Sequence, residues 1–218
     1  MDWAVITDNM GYMLGGLGLT FQMTLIALSG GMFLGCFLAM GRLSSKKWVY
    51  YPASAYVHFF RSQPLILVIF WLYFLAPVFV GRPLGAFYST MIAFVFFEAS
   101  YFSEIIRGGI QSVPKGQVMA AQATGLGFFT IQRYVVLPQA LGNMAPALIT
   151  RAIVIFQDTS LAYVVGLREF LRRVNLVDTR EVRSVELYCF AAVVYFVICT
   201  LGSLFADHLE RKREASKA

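Results

Sequence analysis

The sequence predicts an all-α integral membrane protein of about five transmembrane helices. Three observations predict it. Of 218 residues, 58% are hydrophobic and only 14% charged, with a mean hydropathy of +0.66, whereas a soluble domain carries roughly a quarter charged residues. The charges are gathered into short clusters separated by long uncharged stretches, as in chains that span bilayers. Phenylalanine alone occurs 20 times, and a soluble fold of this length cannot hide that much apolar surface.

A helix needs about 20 apolar residues to cross the hydrocarbon core, and spans stand out near residues 13–41, 62–80, 83–103 and 187–206. The first lies in an uncharged stretch from Asn9 to Gly41. That is too long for a cleaved signal sequence and has no basic segment before it, so it is expected as a retained helix. Within it Ala27, Gly31, Gly35 and Ala39 recur every four residues, a small-residue stripe that lets another helix backbone come close. Arg61 opens the second span and is expected to anchor it, its long side chain reaching the interface. The third carries Glu98 and Glu104, which are six residues apart, do not share one helical face and are left unpaired, Glu104 being structural. A fifth span begins near Pro138 and is interrupted by Arg151 and Asp158, so it either lines a polar cavity or is broken around Asp158. Cys36, Cys189 and Cys199 fall in apolar stretches without metal-ligand spacing and are expected as buried small hydrophobes.

The net charge of +6 does not indicate nucleic acid, because Lys and Arg sit at helix ends rather than along one face. They report topology instead. No Lys or Arg precedes the first span, and Arg42, Lys46 and Lys47 follow it at once, so the N-terminus is expected outside. Five spans then place Arg107, Lys115, Arg133 and the basic C-terminal tail inside. One segment conflicts with that assignment: residues 168–186 carry Arg168, Arg172, Arg173, Arg180 and Arg183, yet fall outside.

The longest inside stretch, Gly108 to Leu137, is mostly apolar and small, and no acidic residue occurs between Ile105 and Gln157. Ser112 and Pro114 make a helix start, Gly125 and Gly127 break that helix, and Pro138 opens the next span. The expectation is two short helices joined by a turn, a positive surface shaped to dock a partner. No phosphate-binding G-x-x-x-x-G-K-[ST] loop, H-E-x-x-H pair or G-x-S-x-G elbow is present. The chain is therefore expected to be no enzyme and to need no cofactor, with any ATP handled by a separate subunit.

Within this stretch Met119-Ala-Ala-Gln-Ala-Thr-Gly125, followed by Val135-Val-Leu137-Pro138, resembles the E-A-A-x-x-x-G, nine residues, I-x-L-P loop of binding-protein-dependent ABC importers. Met119 stands at the Glu position and Val135 at the Ile. Phe60-Arg-Ser-Gln-Pro64, the run from Glu104 to Gln117, and Asp158-Thr-Ser-Leu161 resemble the polar amino-acid permeases in the same order, most closely the glutamate/aspartate permeases. The resemblance covers about residues 14–206 and implies a type I importer permease fold, one transmembrane permease domain over 1–218 with a coupling loop at about 108–137. It implies a second permease chain, identical or related, a dimer of ATP-binding subunits and a periplasmic solute-binding protein. It also implies an inner-membrane location with the N-terminus periplasmic and the C-terminus cytoplasmic. Met119, Ala120, Ala121, Gly125, Leu137 and Pro138 would then face the ATPase, with Gly125 also able to serve as a simple helix cap. The alternative is a secondary transporter or channel subunit that needs no ATPase.

The residues proposed for the substrate pathway are Arg151, Gln157, Asp158, Thr159 and Ser160. An intramembrane charge is a functional candidate by default. Arg151 either faces the pathway, where a guanidinium suits the side-chain carboxylate of an acidic amino acid, or pairs with Asp158 seven residues on. Asp158, Thr159 and Ser160 either cap a broken helix or line the cavity.

Overall fold

The computed structural model describes residues 3–215, with side chains to residue 208. The described residues form helices and turns: α1 (Ala4–Leu14), α2 (Leu17–Arg42), α3 (Lys47–Arg61), α4 (Leu65–Val80), α5 (Ala86–Gln111), α6 (Lys115–Ala123), α7 (Phe128–Val165), α8 (Phe170–Glu181) and α9 (Ser184–Ala215). Four of these, α2, α5, α7 and α9, are long and apolar enough to cross a membrane, and the bent pair α3 and α4 makes a fifth. The expected class and span number are those observed.

The centre of the bundle is the pair α2 and α5. Gly31 lies against Glu98 and Phe102, and Gly35 against Phe102 and the backbone of Ala99 and Ser103. Residue numbers rise together along this seam, so the two helices run parallel, as is required if α3 and α4 return the chain between them. The small-residue stripe is thus a packing seam, with Ala27, Gly31, Gly35 and Ala39 all buried. On the other side of α5, Gly109 meets Met144 and Ala140, so α7 runs antiparallel to it. Gly202 of α9 meets Ile153, and the Phe156 and Tyr195 rings are 5.6 Å apart, which makes α9 antiparallel to α7. Arg42, Gln111, α6 and His208 consequently gather at one end of the bundle, and α1, Val165 and α8 at the other.

That second end holds the arginine-rich segment of residues 168–186. Met13 of α1, Phe170, Val174 and Val177 of α8 and Leu187 of α9 form a small core of their own. Glu169 caps α8, accepting from the backbone N–H of Leu171 at 2.8 Å and of Arg172 at 2.5 Å. Burial pushes its carboxyl up to about 7, while those two N–H donors pull it the other way. Arg173 donates to the Tyr12 carbonyl at 2.9 Å, and Arg180 to the Asn9 side chain. Two of the five arginines are thus tied to α1, and the segment lies at the N-terminal end of α2.

Four expectations are corrected. Residues 47–61, left out of every expected span, form α3, which meets α4 at 105°. The bend falls at Ser62-Gln63-Pro64, because a proline lacks the N–H that would continue the helix and bars the preceding residue from helical geometry. The second short helix before Pro138 is no separate element: it is the first turn of α7, which runs from Phe128 through a π-helical segment at Gln132–Val136 into Leu137–Asp158. Pro138 sits inside this rod, directly after the π-helical segment, at the second position of the α-helical section. Finally, Cys189 is exposed, and Cys36 and Cys199 are half-buried. An apolar thiol is at home against lipid as well as in a core.

The α2–α5 seam makes a prediction. A Cβ on Gly35 would lie 2.7 Å from the Phe102 Cβ and 3.1 Å from the Ala99 carbonyl, whereas one on Gly18 meets nothing within 4 Å. Gly35→Leu is expected to destabilise the fold by about 1–3 kcal/mol or more, with Gly18→Leu near neutral. Thermal unfolding in detergent compares the two, and equal midpoints would remove the seam from its central place.

Candidate functional site

Glu98 lies at zero exposure in the middle of α5. Arg151 of α7 meets it as a fork: Nε donates to Oε2 at 2.6 Å and Nη2 to Oε1 at 2.7 Å. The guanidinium also lies 3.9 Å from the centre of the Tyr101 ring, one turn along α5. Its side chain keeps 13% exposure, and Nη1 donates no hydrogen bond to any described residue. The sequence offered Asp158 as partner, and the structure corrects this to Glu98. One signal was available: Glu98 is itself an ionisable residue in an apolar span, of opposite sign to Arg151.

The remaining pathway candidates lie about two turns beyond Arg151. α7 passes through Arg151 unbroken, its α-helical section ends at Asp158, and Thr159–Val165 wind as a 3₁₀-helix. Asp158 is half-buried and makes no side-chain cap. Thr159 is fully buried and donates to the Phe156 carbonyl at 2.7 Å, which occupies it structurally. Ser160 is half-buried, and Gln157 is exposed on the α9 side, with Nε2 3.4 Å from Cys199 Sγ. Arg151 and Asp158 thus share α7 with Thr159 and Ser160, while Gln157 turns away from them.

Two turns along α5 from Glu98, a second cluster surrounds Glu104. Arg42 donates to Oε1 at 2.6 Å, and Arg107 to Oε2 at 2.6 Å and 3.1 Å. Arg61 is the third cation, 3.2 Å from Oε1, and its guanidinium stands 5.4 Å from the Tyr101 ring centre. Glu104 is structural, as expected, joining the C-terminal ends of α2, α3 and α5. Arg61, expected only as an interfacial anchor, turns inward instead.

The Arg42 end of the bundle carries the hairpin of α6 and the start of α7. Gly125, at φ +77°, ends α6: Leu126 N–H donates to the Ala121 carbonyl at 3.4 Å and Gly125 N–H to the Gln122 carbonyl at 3.0 Å. This closing turn favours a residue without Cβ. Ala121 points into a local core with Val113, Ile131, Val136, Ala140 and Met144. Met119, Ala120, Gly125, Leu137 and Pro138 are exposed, as are Leu126, Phe128 and Phe129. Of the six residues singled out, five face outward and Ala121 holds the hairpin together. Among the described residues no three acidic, His or Cys side chains gather as a metal site.

Helices of these lengths, with a bent second span and an exposed hairpin at one end, are those of a multi-pass membrane protein. Residues 31–215 match the family described as binding-protein-dependent transport system inner membrane component, and the chain belongs to that family. It is an amino-acid ABC importer permease of the type I fold, a multi-pass protein of the inner membrane. Membership sets aside the alternative of a transporter or channel without an ATPase. The chain is 43% identical to the glutamate/aspartate import permease protein GltK of Escherichia coli O157:H7, over 97% of each chain. It is 27% identical to the arginine transport system permease protein ArtQ of Bacillus subtilis, over 99% of each. A crystal structure of an amino acid ABC transporter with histidines superposes with a TM-score of 0.91 at 30% identity, covering 97% of this chain and 99% of that one.

The fork between Glu98 and Arg151 sets up a double-mutant test. Removing one partner of a buried ion pair costs about 3–5 kcal/mol, because the other charge stays buried. Glu98→Gln and Arg151→Gln are each expected to lower the unfolding midpoint of the purified protein strongly. The double variant should recover most of the loss, since two amides can hydrogen-bond. Additive losses would show that the two side chains do not depend on one another.

Proposed function

We propose that this chain forms the translocation pathway of an ATP-driven importer for an acidic amino acid, glutamate or aspartate. The observation that carries the substrate class is the 43% identity over nearly the whole length to the glutamate/aspartate permease. The relative named for arginine transport has the same length and lower identity, so chain length and fold do not choose the cargo. Arg151 does. Its fork to Glu98 uses Nε and Nη2 and leaves Nη1 for an incoming carboxylate, with Tyr101 fixing the plane of the group. Asp158, Thr159 and Ser160 lie along the same helix and receive the polar remainder of the cargo, its ammonium suited to Asp158. Gln157 stands outside this line and is the weakest of the pathway residues.

The chain works as one permease domain over 1–218, with the loop at about 108–137 carrying the coupling. Met119, Ala120, Gly125, Leu137 and Pro138 face a nucleotide-binding subunit, backed by Ala121, and the exposed Phe128 and Phe129 enlarge that apolar contact. The hairpin is continuous with α7, so closure of two ATP-binding subunits pushes on the rod that carries Arg151, as a rigid-body movement. A second permease chain completes the pathway and a periplasmic solute-binding protein delivers the cargo. The hairpin end with the C-terminus is cytoplasmic, and the α1 and α8 end periplasmic.

Two experiments test this. Glu98→Gln/Arg151→Gln together preserves the neutral fold while removing the cation, so aspartate uptake by vesicles with the whole complex should fall about ten- to a hundredfold, the worth of one charge-assisted hydrogen bond. Wild-type uptake by this double variant would make the pair purely structural. Gly125→Glu should leave the chain in the membrane but weaken capture of the ATP-binding subunit and abolish uptake, since a Cβ strains the turn and a charge sits on the docking face. Normal uptake at normal expression would remove the coupling assignment.

A further inference from the structure

Glu104 has one carboxylate and three cations around it, and these are not equivalent. Arg42 and Arg107 hold it by hydrogen bonds of 2.6 Å. Arg61 makes an ion pair at 3.2 Å without hydrogen-bond geometry, and among the described residues its guanidinium donates no hydrogen bond at all. A guanidinium has five N–H donors, and apart from the Nη1 ion pair to Glu104 they are uncommitted, on a side chain that is 42% exposed, against 7% for Arg42 and 31% for Arg107. No acidic residue occurs in α3 or α4, nor in α7 before Asp158, so nothing near Arg61 on those helices neutralises it.

Its position is as telling as its chemistry. Arg61 and Arg151 share one ring: Tyr101 has the Arg151 guanidinium 3.9 Å from its centre and that of Arg61 at 5.4 Å. Glu98, Tyr101 and Glu104 follow one another at intervals of three along α5, so the two arginines stand at successive turns, Arg61 nearer the coupling hairpin. Arg61 also ends α3 at the 105° bend, where no continuous helix fixes its backbone.

We propose that Arg61 is a second carboxylate-binding station of the pathway, taking the acidic side chain of the cargo from Arg151 across the face of Tyr101. This rests on the acidic-cargo function proposed above. Two successive stations let an anion leave the first without re-entering an apolar medium uncompensated, where desolvation of a lone carboxylate is prohibitive. Glu104, already satisfied by two other arginines, keeps Arg61 near the ring without consuming its donors.

The test uses the whole complex in liposomes, with saturating loaded binding protein, and reads aspartate imported per ATP hydrolysed. Arg61→Gln is expected to lower that ratio about tenfold, the loss of one charge-assisted hydrogen bond, and Arg61→Lys to restore most of it. Damage to the fold would lower uptake and hydrolysis in proportion, and an unchanged ratio in Arg61→Gln overturns the proposal. So does an effect of Arg61→Gln that vanishes in liposomes of phosphatidylcholine alone, because the anion would then be a lipid headgroup. If the wild-type complex hydrolyses ATP but imports neither aspartate nor glutamate, the acidic-cargo function itself fails. Aspartate import with a normal ratio in Arg61→Gln removes the second station only.

Discussion

A carboxylate with no exposure, halfway along a helix that crosses lipid, is tolerable only with a cation in hydrogen-bond reach, and Glu98 has one in Arg151. Insertion scales assign about 2.5–3.5 kcal/mol to each such charge at the helix centre, so neither helix gains by carrying its charge alone. The pair therefore fixes the register of α7 against α5 more sharply than apolar contact does, since a slip of one turn would strand both charges. From that register the rest follows. Gly109 meets Met144, the hairpin is set at a fixed height below the fork, and the 3₁₀ turn at Thr159–Val165 stands above it.

The α2–α5 seam supplies the complementary constraint. Glycines at 31 and 35 bring α2 so close that its own chain walls the Glu98 side of α5, with the Glu98 Cβ 2.7 Å from where a Gly31 side chain would begin. Without that proximity the carboxylate would face lipid. The seam also carries Arg42 to Glu104 at its end. One small-residue stripe thus serves two acidic residues two turns apart, burying the first and delivering a cation to the second.

Much of this was legible in the sequence, because hydropathy, glycine spacing and charge clusters report on single helices and on their ends. The stripe from Ala27 to Ala39, the turn at Gly125 and the change of helix type at Asp158 are all local features, and each appears where its residues stand. What was not legible depends on helices meeting. The partner of Arg151 lies 53 positions away on another helix, and periodicity within α7 pointed to Asp158 instead. Helix α3 escaped because its aromatic and basic residues dilute the apolar signal while it buries one face against α2 and α5. The contacts of the basic segment at 168–186 were equally hidden, since two of its arginines, Arg173 and Arg180, donate to carbonyl and amide oxygens of α1.

The π-helical segment at Gln132–Val136 has a consequence for how such chains can vary. A π turn inside an α-helix is in effect one residue inserted into the ladder, and it lies between the exposed hairpin and the fork-bearing part of α7. Each residue of an α-helix turns the chain by about 100°. Loss of one residue between Gln132 and Val136 would leave an ordinary helix of unchanged hydrophobicity, with Phe128 and Phe129 swung about a quarter-turn or more around the rod relative to Arg151. Length in this stretch therefore sets the angle between the exposed hairpin and the Glu98–Arg151 fork.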